Sequence, residues 1–314
     1  MSPDDADGGP DGAGKPRLTE RRNPRSEGID QLSTLAIVDL INAEDRTVAR
    51  AVTEERVEIA RCIDLVVECF RRGGRLLYVG AGSSGRLGVL DAAEMPPTFG
   101  TDPEQVQGII AGGYGALTRA QEGAEDIASA GADAVDDRDV GEHDFVLGIA
   151  SSGTTPYVHG AVARARERGA RTGLLLCTHP TAEQRETHDV VIAPLVGPEV
   201  ITGSTRMKAG TATKMVLNTI TTAAMVKLGK VYGNLMVDLK VGSRKLRDRA
   251  ERILMETVGL DRPAAARLLD EADGHVKTAI VMGCNGLDRA EAARRLEEAE
   301  GRVGRLVDGC GHEG

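Results

Sequence analysis

Glycine and hydroxyl residues cluster in two short stretches that each follow an apolar run. The first hydroxyl loop, Gly80-Ala-Gly-Ser-Ser-Gly85, ends the run Arg75–Gly80, and the second hydroxyl loop, Ala150-Ser-Ser-Gly-Thr-Thr-Pro156, ends the run Phe145–Ala150. Glycines let a ligand approach the backbone, and the free N–H groups of a following helix attract an anion. The hydroxyls that could hold phosphate oxygens are those of Ser83, Ser84, Ser151, Ser152 and Thr155. Capping of the helix by these side chains is the structural alternative.

The absence of nucleotide-binding residues restricts the kind of phosphate that the two loops could bind. A dinucleotide fold needs an acidic residue at the end of its second strand to hold the ribose. Here the second apolar run ends Ile109-Ile-Ala-Gly-Gly-Tyr114, without a carboxylate, and neither loop has the Gly-Lys-Ser or Gly-Lys-Thr signature of a triphosphate-binding loop. A phosphate monoester is therefore the favoured ligand.

Three glutamates are candidate site residues, and Glu122 is expected to contribute to substrate binding. Glu94 stands just before Pro96 and Pro97, while Glu122 and Glu125 lie three residues apart in a stretch that we predict to be helical, residues 116–130. Residues three apart share one face of a helix. Two carboxyl groups with different protonation preferences can serve as acid and base, although an exposed acidic face is the alternative for Glu122 and Glu125.

A further polar cluster lies between Gly197 and Lys214. It combines Glu199, Arg206 and Lys208 with several hydroxyls, directly before an apolar helical stretch. We expect Glu199 and Lys208 to contribute to substrate binding by closing over the site. Solvated loop charges are the alternative interpretation of such cations.

Five apolar runs that end at Gly, Ser, Thr or Pro alternate with helical patterns. This alternation predicts an α/β fold with a parallel sheet covered by helices on both faces. Both hydroxyl loops would then emerge at the same carboxyl edge of the sheet, where ligands bind. The predicted strands are Arg75–Gly80, Val106–Ala111, Phe145–Ala150, Thr172–Cys177 and Val190–Leu195.

Composition restricts the class of protein. The chain has 314 residues, a net charge of -9 and only 2% aromatic residues, which argues against nucleic acid and membrane surfaces as partners. The five cysteines show no metal-binding spacing, so we expect free thiols in the cytoplasm and neither metal nor cofactor. We predict a disordered tail over residues 1–17, an α/β domain with N-terminal helices over 18–243, and a small helical domain over 244–314.

The motifs GAGSSGRL and ASSGTTPY resemble the sugar isomerase (SIS) domain, which binds phosphosugars. Four longer stretches make the chain similar to the N-acetylmuramic acid 6-phosphate etherase family, and the same likeness extends to the glucokinase regulatory protein. These stretches are DAAEMPPTFG, EGAED, GPEVITGSTRMKAGTATK and GKVYGNLMVDL. The resemblance implies an SIS-type three-layer αβα sandwich with a five-stranded parallel sheet and a small C-terminal all-helical domain.

The resemblance also implies a metal-free homodimer that cleaves the D-lactyl ether of N-acetylmuramic acid 6-phosphate in cell-wall recycling. It assigns catalysis to Glu94 and Glu125, and we take Glu125 as the base and Glu94 as the acid, with the reverse assignment open. Glu94 follows Ser84 by ten residues, a distance of ~15 Å along a helix. We therefore expect either a short bent helix or an active site shared between two subunits. A phosphosugar aldose–ketose isomerase and a non-catalytic phosphosugar-binding regulator are the alternative functions.

Overall fold

The computed structural model describes residues 16–238, 244–307 and 310, so nearly all of the predicted tail lies outside the described residues. The chain divides into two compact units. Unit 1 comprises residues up to 93 together with 104–220, and unit 2 comprises 94–103 together with 221 onwards. The domain borders expected from the sequence remain a prediction.

Unit 1 alternates strands and helices as expected, and one short helix of unit 2 (α5) interrupts it in the sequence. In chain order the elements up to residue 227 are α1 (Thr34–Asp45), α2 (Val48–Glu54), α3 (Arg56–Arg71), β1 (Leu76–Gly80), α4 (Gly82–Ala93), α5 (Met95–Phe99), β2 (Val106–Ile110), α6 (Ala128–Asp136), β3 (Phe145–Ile149), α7 (Pro156–Glu167), β4 (Arg171–Leu175), α8 (Ala182–Thr187), β5 (Val190–Ile192) and α9 (Lys208–Lys227).

The five strands form one parallel sheet in the order β2-β1-β3-β4-β5. Strand β1 pairs with β2 on one side and with β3 on the other, so that Gly80 lies opposite both Ile110 and Ile149. The strand order reverses between β1 and β3, and ligands of open α/β sheets bind at this switch point. The two hydroxyl loops follow these two neighbouring strands, as the sequence predicts.

Alternation along β1 shows why helices cover both faces of the sheet. Leu77 and Val79 belong to a buried cluster that includes residues of α6 and α7. Tyr78 points to the opposite face, where its hydroxyl donates to Asp91 of α4 at 2.9 Å. Successive side chains of a strand point to opposite faces, so a strand buried on both needs two helical layers. The three-layer αβα architecture is confirmed.

The helix expected over residues 116–130 is wrong. Short 3₁₀ turns occupy Tyr114–Leu117 and Ala124–Asp126, and α6 begins only at Ala128. Gly123, which is in the left-handed region with φ 75°, interrupts the expected helix before the second turn, and Gly113, with φ 69°, precedes the first turn. Glu122 and Glu125 are therefore loop residues and do not share a helix face.

Unit 2 is mainly helical, with a two-stranded antiparallel hairpin that the sequence did not indicate. Beyond α5 its elements are β6 (Val231–Tyr232), β7 (Leu235–Met236), α10 (Arg244–Val258), α11 (Arg262–Glu271), α12 (Val276–Asn285) and α13 (Arg289–Glu298). Apolar residues from α10 to α13 form one buried cluster, and the partly buried Tyr232, Leu235 and Met236 of the hairpin pack against it.

The expectation of free thiols is corrected for two of the five cysteines. Cys284, near the end of α12, forms a disulfide with Cys310 at a Cα–Cα distance of 5.6 Å. The two residues are 26 positions apart, and only the folding of unit 2 brings them together, so their spacing carried no signal. Cys62, Cys69 and Cys177 are free and buried, and burial raises the pKa of the Cys62 and Cys177 thiols to about 12.

Within the described ranges, no helix combines the length and the apolar character needed to cross a membrane.

Candidate active site

The first hydroxyl loop is the tight junction between β1 and the first turn of α4. A Cβ atom at Gly80 would lie 2.6 Å from the backbone nitrogen of Gly85, and one at Gly85 would lie 2.7 Å from the Ile110 side chain. Only glycine fits such close approaches. Ser83 and Ser84 lie in the first turn of α4 and are partly exposed. The Gly85 amide donates to the Ala81 carbonyl at 3.3 Å, whereas the amides before it in that turn lack helical partners and are available to an anion.

The second hydroxyl loop is held by hydrogen bonds to its backbone. The Gly153 carbonyl accepts from His159 Nε2 at 2.9 Å and from Gln184 Nε2 at 3.0 Å. The hydroxyls of Ser152 and Thr154 share a hydrogen bond of 2.9 Å. His159 therefore supports the shape of the loop.

Two further residues of the second hydroxyl loop, Thr155 and Ser151, differ in their surroundings. Thr155 precedes α7, but its side chain makes no capping hydrogen bond, which removes the capping alternative for this residue. Ser151 is buried, and its backbone carbonyl accepts from the Cys177 amide at 2.9 Å. The loop is therefore anchored to the end of the neighbouring strand β4.

Two residues beside the second hydroxyl loop were missed in the sequence. Arg17 Nη1 donates to the Ser152 carbonyl at 2.6 Å from the amino-terminal segment. Thr178 lies just beyond β4, and its buried hydroxyl has no hydrogen-bond partner in the described part of the chain. The position of Thr178 after an apolar strand was a usable signal, whereas Arg17 is far from the loop in sequence and carried none.

Glu125 and Glu122 line one cavity of about 200 Å³, here called the acid cavity, together with Ala81 and Gly82 of the first hydroxyl loop. It is also lined by Arg86. Arg86 is held in place because its Nε donates to the Leu117 carbonyl at 3.1 Å. Both glutamates are exposed at the mouth of the cavity. Unit 1 thus brings a candidate base, a guanidinium group and a predicted phosphate-binding loop together.

Glu94 is not among the described residues that line the acid cavity. It is exposed, it directly follows the last residue of α4, and its carbonyl accepts from the Thr98 amide of α5 at 3.3 Å. Helix α4 is continuous from Gly82 to Ala93, so the helix is not short, and the shared site expected from the sequence stays a prediction.

Glu199 and Lys208 lie in a buried ion cluster, defined here as Asn23, Arg25, Glu44, Glu199 and Lys208. Lys208 Nζ lies 2.6 Å from Glu44 Oε2, and Asn23 Nδ2 donates to the same oxygen at 2.9 Å. The Arg25 guanidinium lies 3.0 Å from Glu44 Oε1. The Glu199 carboxylate accepts from the Lys208 and Ala209 amides at 3.0 and 2.9 Å. The predicted role of Glu199 and Lys208 in substrate binding stays a prediction.

The two carboxylates of the buried ion cluster have opposite pKa shifts. Burial raises the pKa of Glu44, but the hydrogen bonds and charges of Lys208, Asn23 and Arg25 outweigh it, so the pKa lies below its ordinary value. Burial raises the pKa of Glu199 above its ordinary value, and the backbone N–H groups only partly offset this.

Comparisons with known proteins agree with these features. Residues 58–166 match the model of the glucokinase regulatory protein N-terminal SIS domain. An N-acetylmuramic acid 6-phosphate etherase of Crocosphaera subtropica is 54% identical over 265 residues, covering 84% of this chain and 87% of that protein. The etherase of Salinibacter ruber is 57% identical over 264 residues, covering 84% and 85%.

Two solved structures are also similar. A phosphoheptose isomerase from Neisseria gonorrhoeae is 18% identical, with a TM-score of 0.44, covering 60% of this chain and 98% of that chain. A phosphoheptose isomerase from Francisella tularensis is 20% identical, with a TM-score of 0.40, covering 60% and 98%. On the strength of the two curated relatives, more than half identical over most of its length, the chain belongs to the N-acetylmuramic acid 6-phosphate etherase family.

Proposed function

We propose that the protein is a cytoplasmic lyase that cleaves the D-lactyl ether of N-acetylmuramic acid 6-phosphate in peptidoglycan recycling. The products are N-acetylglucosamine 6-phosphate and D-lactate. The observation that carries the proposal is the acid cavity, where Glu125 and the first hydroxyl loop line the same space. Family membership supplies the identity of the substrate.

The sugar phosphate is proposed to bind at the switch point of the sheet, between the ends of β1 and β3. Hydroxyls and N–H groups of both loops would hold its oxygens. Because the phosphate is remote from C2 and C3, its binding energy serves to hold the open-chain sugar in the reactive pose. Ser84→Ala and Ser152→Ala are therefore expected to raise KM, lower kcat, or both, and unchanged steady-state kinetics in both variants would contradict a phosphate site here.

The proposed chemistry is elimination followed by hydration. In the open chain the C1 aldehyde acidifies the C2 hydrogen, and Glu125 accepts that proton. The C2–H electron pair forms the C2–C3 double bond while the C3–O bond breaks, and Glu94 donates a proton to the departing lactate oxygen. Water then adds to C3 and a proton returns to C2. Proton transfers of this kind contribute about a hundredfold to ten-thousandfold in rate.

The protein is further proposed to act as a homodimer in which Glu94 of one subunit serves the site of the other. Helix α1 supports a dimer because its only buried residue is Glu44, while the apolar Leu35 and Val38 are 70% and 48% exposed. Exposed apolar patches of this kind commonly mark protein interfaces. The length of α4 between Ser84 and Glu94 supports a shared site.

The decisive assay adds N-acetylmuramic acid 6-phosphate and measures D-lactate. Release by the wild type, with a loss of about a hundredfold or more in Glu125→Gln, is the expected result. Formation of a ketose without lactate would select the isomerase, and saturable binding without turnover would select the regulator.

A mixing experiment tests the shared site. Glu94→Ala and Ser84→Ala subunits are each expected to be nearly inactive alone. Heterodimers regain activity if one intact site is assembled from the two chains, whereas inactive heterodimers of verified composition would place the whole site within one subunit.

A further inference from the structure

A second cavity of about 390 Å³, here called the basic cavity, opens beside the acid cavity in unit 1. Three of its lining residues are cations and two carry hydroxyls. The lining consists of Ser83, Arg86, Leu87, Arg206, Gly210, Thr211 and Lys214. We propose that the basic cavity binds the carboxylate of the D-lactyl group, a role that rests on the proposed function and goes beyond it.

The charges of the basic cavity are unbalanced. No acidic residue occurs among its described lining residues. Arg206 and Lys214 are exposed, and within the described ranges neither makes an ion pair or a side-chain hydrogen bond. The chain as a whole carries a net charge of -9. Three cations gathered without an acid, on a protein rich in acids, indicate a site for an anion.

Arg86 connects the two cavities because it lines both. Its Nε is committed to the Leu117 carbonyl, which leaves the terminal N–H groups of the guanidinium available. The first turn of α4 is divided in the same way, since Gly82 faces the acid cavity and Ser83 the basic cavity. A group bound in the basic cavity is therefore adjacent to the acid cavity, which Glu125 lines.

The proposed substrate carries two anions that need separate sites. Its phosphate is at C6, and its carboxylate is on the lactyl group attached through oxygen to C3. The guanidinium of arginine matches a carboxylate through paired, charge-assisted hydrogen bonds, and lysine adds a point charge. A cationic site beside the base would fix the lactyl group, and with it the C3–O bond, relative to the C2 proton. The product N-acetylglucosamine 6-phosphate lacks this carboxylate and loses this contact.

The test compares two substrates that differ only in charge at the lactyl group, the natural acid and its lactyl carboxamide. Wild type, Arg206→Gln and Lys214→Gln are assayed for D-lactate or D-lactamide release. Arg50→Gln is the matched control, because Arg50 is an exposed cation of α2 with one surface ion pair. The inhibition constant of N-acetylglucosamine 6-phosphate is measured in every variant.

We expect the carboxamide to lower kcat/KM of the wild type by about tenfold to a hundredfold, the range for losing charged hydrogen bonds. Arg206→Gln should lower kcat/KM for the acid by about tenfold and for the carboxamide by less than about threefold. Lys214→Gln should also lower kcat/KM more for the acid than for the carboxamide, but by a smaller factor. Arg50→Gln should lower neither. The inhibition constant of the product should stay within about twofold, because the product has no carboxylate to lose.

Two results would overturn the inference. Equal losses for acid and carboxamide, accompanied by weaker product inhibition, would place the phosphate in the basic cavity. Dissociation of the dimer by Arg206→Gln, measured by sedimentation, would assign the cations to an acidic surface of a second subunit. Failure of the proposed function is a separate result: the wild type would release no lactate. In that case equal dissociation constants for acid and carboxamide, measured by calorimetry, still refute the carboxylate site, and tighter binding of the acid supports it.

Discussion

Lys208 and Lys214 lie on the same helix, α9, but in contrasting surroundings. The side chain of Lys208 is 4% exposed and is paired with Glu44, itself 5% exposed, at 2.6 Å. Lys214, six residues later, lines the open basic cavity and has no charged partner in the described part of the chain. The two lysines share a residue type and a helix, and only burial and partners separate them.

This difference shows that burial decides whether a charged side chain is paired within the protein or stays available to a ligand. A buried charge must be paired and hydrogen-bonded, because desolvation otherwise costs several kcal/mol. The buried ion cluster meets that need with the chain's own groups and joins the amino-terminal segment, α1 and α9. An exposed cluster of cations has no such need, and its charges remain available for a ligand that arrives from solvent.

The largest expected effect comes from breaking the buried pair. Lys208→Met should lower the free energy of unfolding by about 3–5 kcal/mol, because it leaves the Glu44 carboxylate buried without its cation. Lys214→Met should change it by less than about 0.5 kcal/mol, as is usual for exposed residues. Urea unfolding followed by circular dichroism measures both. A stable Lys208→Met protein with a raised KM would instead support the substrate-binding role expected from the sequence.

A smaller loss is expected at Glu199. Glu199→Ala removes the acceptor of the first two amides of α9 and should cost about 2 kcal/mol in unfolding free energy, near the upper end for a helix cap. Glu183→Ala, in the first turn of α8, is the control and should cost less than about 0.5 kcal/mol. Equal losses of unfolding free energy in the two variants would show that the hydrogen bonds of Glu199 do not stabilise the fold.

The contribution of the buried pair should depend on pH. The folded-state pKa of Glu44 lies below its ordinary value of 4.5, so this stabilisation is complete above that value and is lost as the pH falls through the lowered folded-state pKa. The difference in unfolding free energy between wild type and Lys208→Met should therefore be constant from about pH 7 to about pH 5 and should shrink as the pH falls below 4.5. A difference that stays constant would mean that Glu44 does not titrate with the pair.

The smallest expected effect is on salt dependence. Salt screens exposed charges more than buried ones, so KM for the natural substrate should rise about threefold between low salt and about 0.5 M salt, with little change in unfolding free energy. Arg206→Gln should flatten this dependence. Identical salt slopes in the variant and the wild type would show that Arg206 does not attract the substrate.

The sequence predicted the parts of the site that follow strands. The runs before Gly80 and Ala150 are buried strands that lie side by side, and the sheet edge then brings the two hydroxyl loops together. Strands that are buried on both faces of the sheet consist almost entirely of apolar residues. Long apolar runs with clear breaks therefore predict such strands reliably.

The remaining features depend on contacts that no local pattern records. The sequence predicts a helix at Glu125, but a glycine with positive φ, Gly123, interrupts it. Glu125 nevertheless lines the same cavity as the first hydroxyl loop. Burial of Lys208 follows from Glu44, which is 164 positions away. The pairing of Cys284 with Cys310 likewise needs the fold of unit 2. Such contacts become visible only when distant segments are packed.

Arg17 contacts the backbone of the second hydroxyl loop from 135 positions away, through a hydrogen bond to the Ser152 carbonyl. Because the acceptor is a main-chain carbonyl, replacing the side chain at position 152 leaves this hydrogen bond in place. A truncation that removes Arg17 abolishes it. Truncations that remove Arg17 therefore take away one support of the second hydroxyl loop, and kinetic constants should be compared only between proteins that retain this residue.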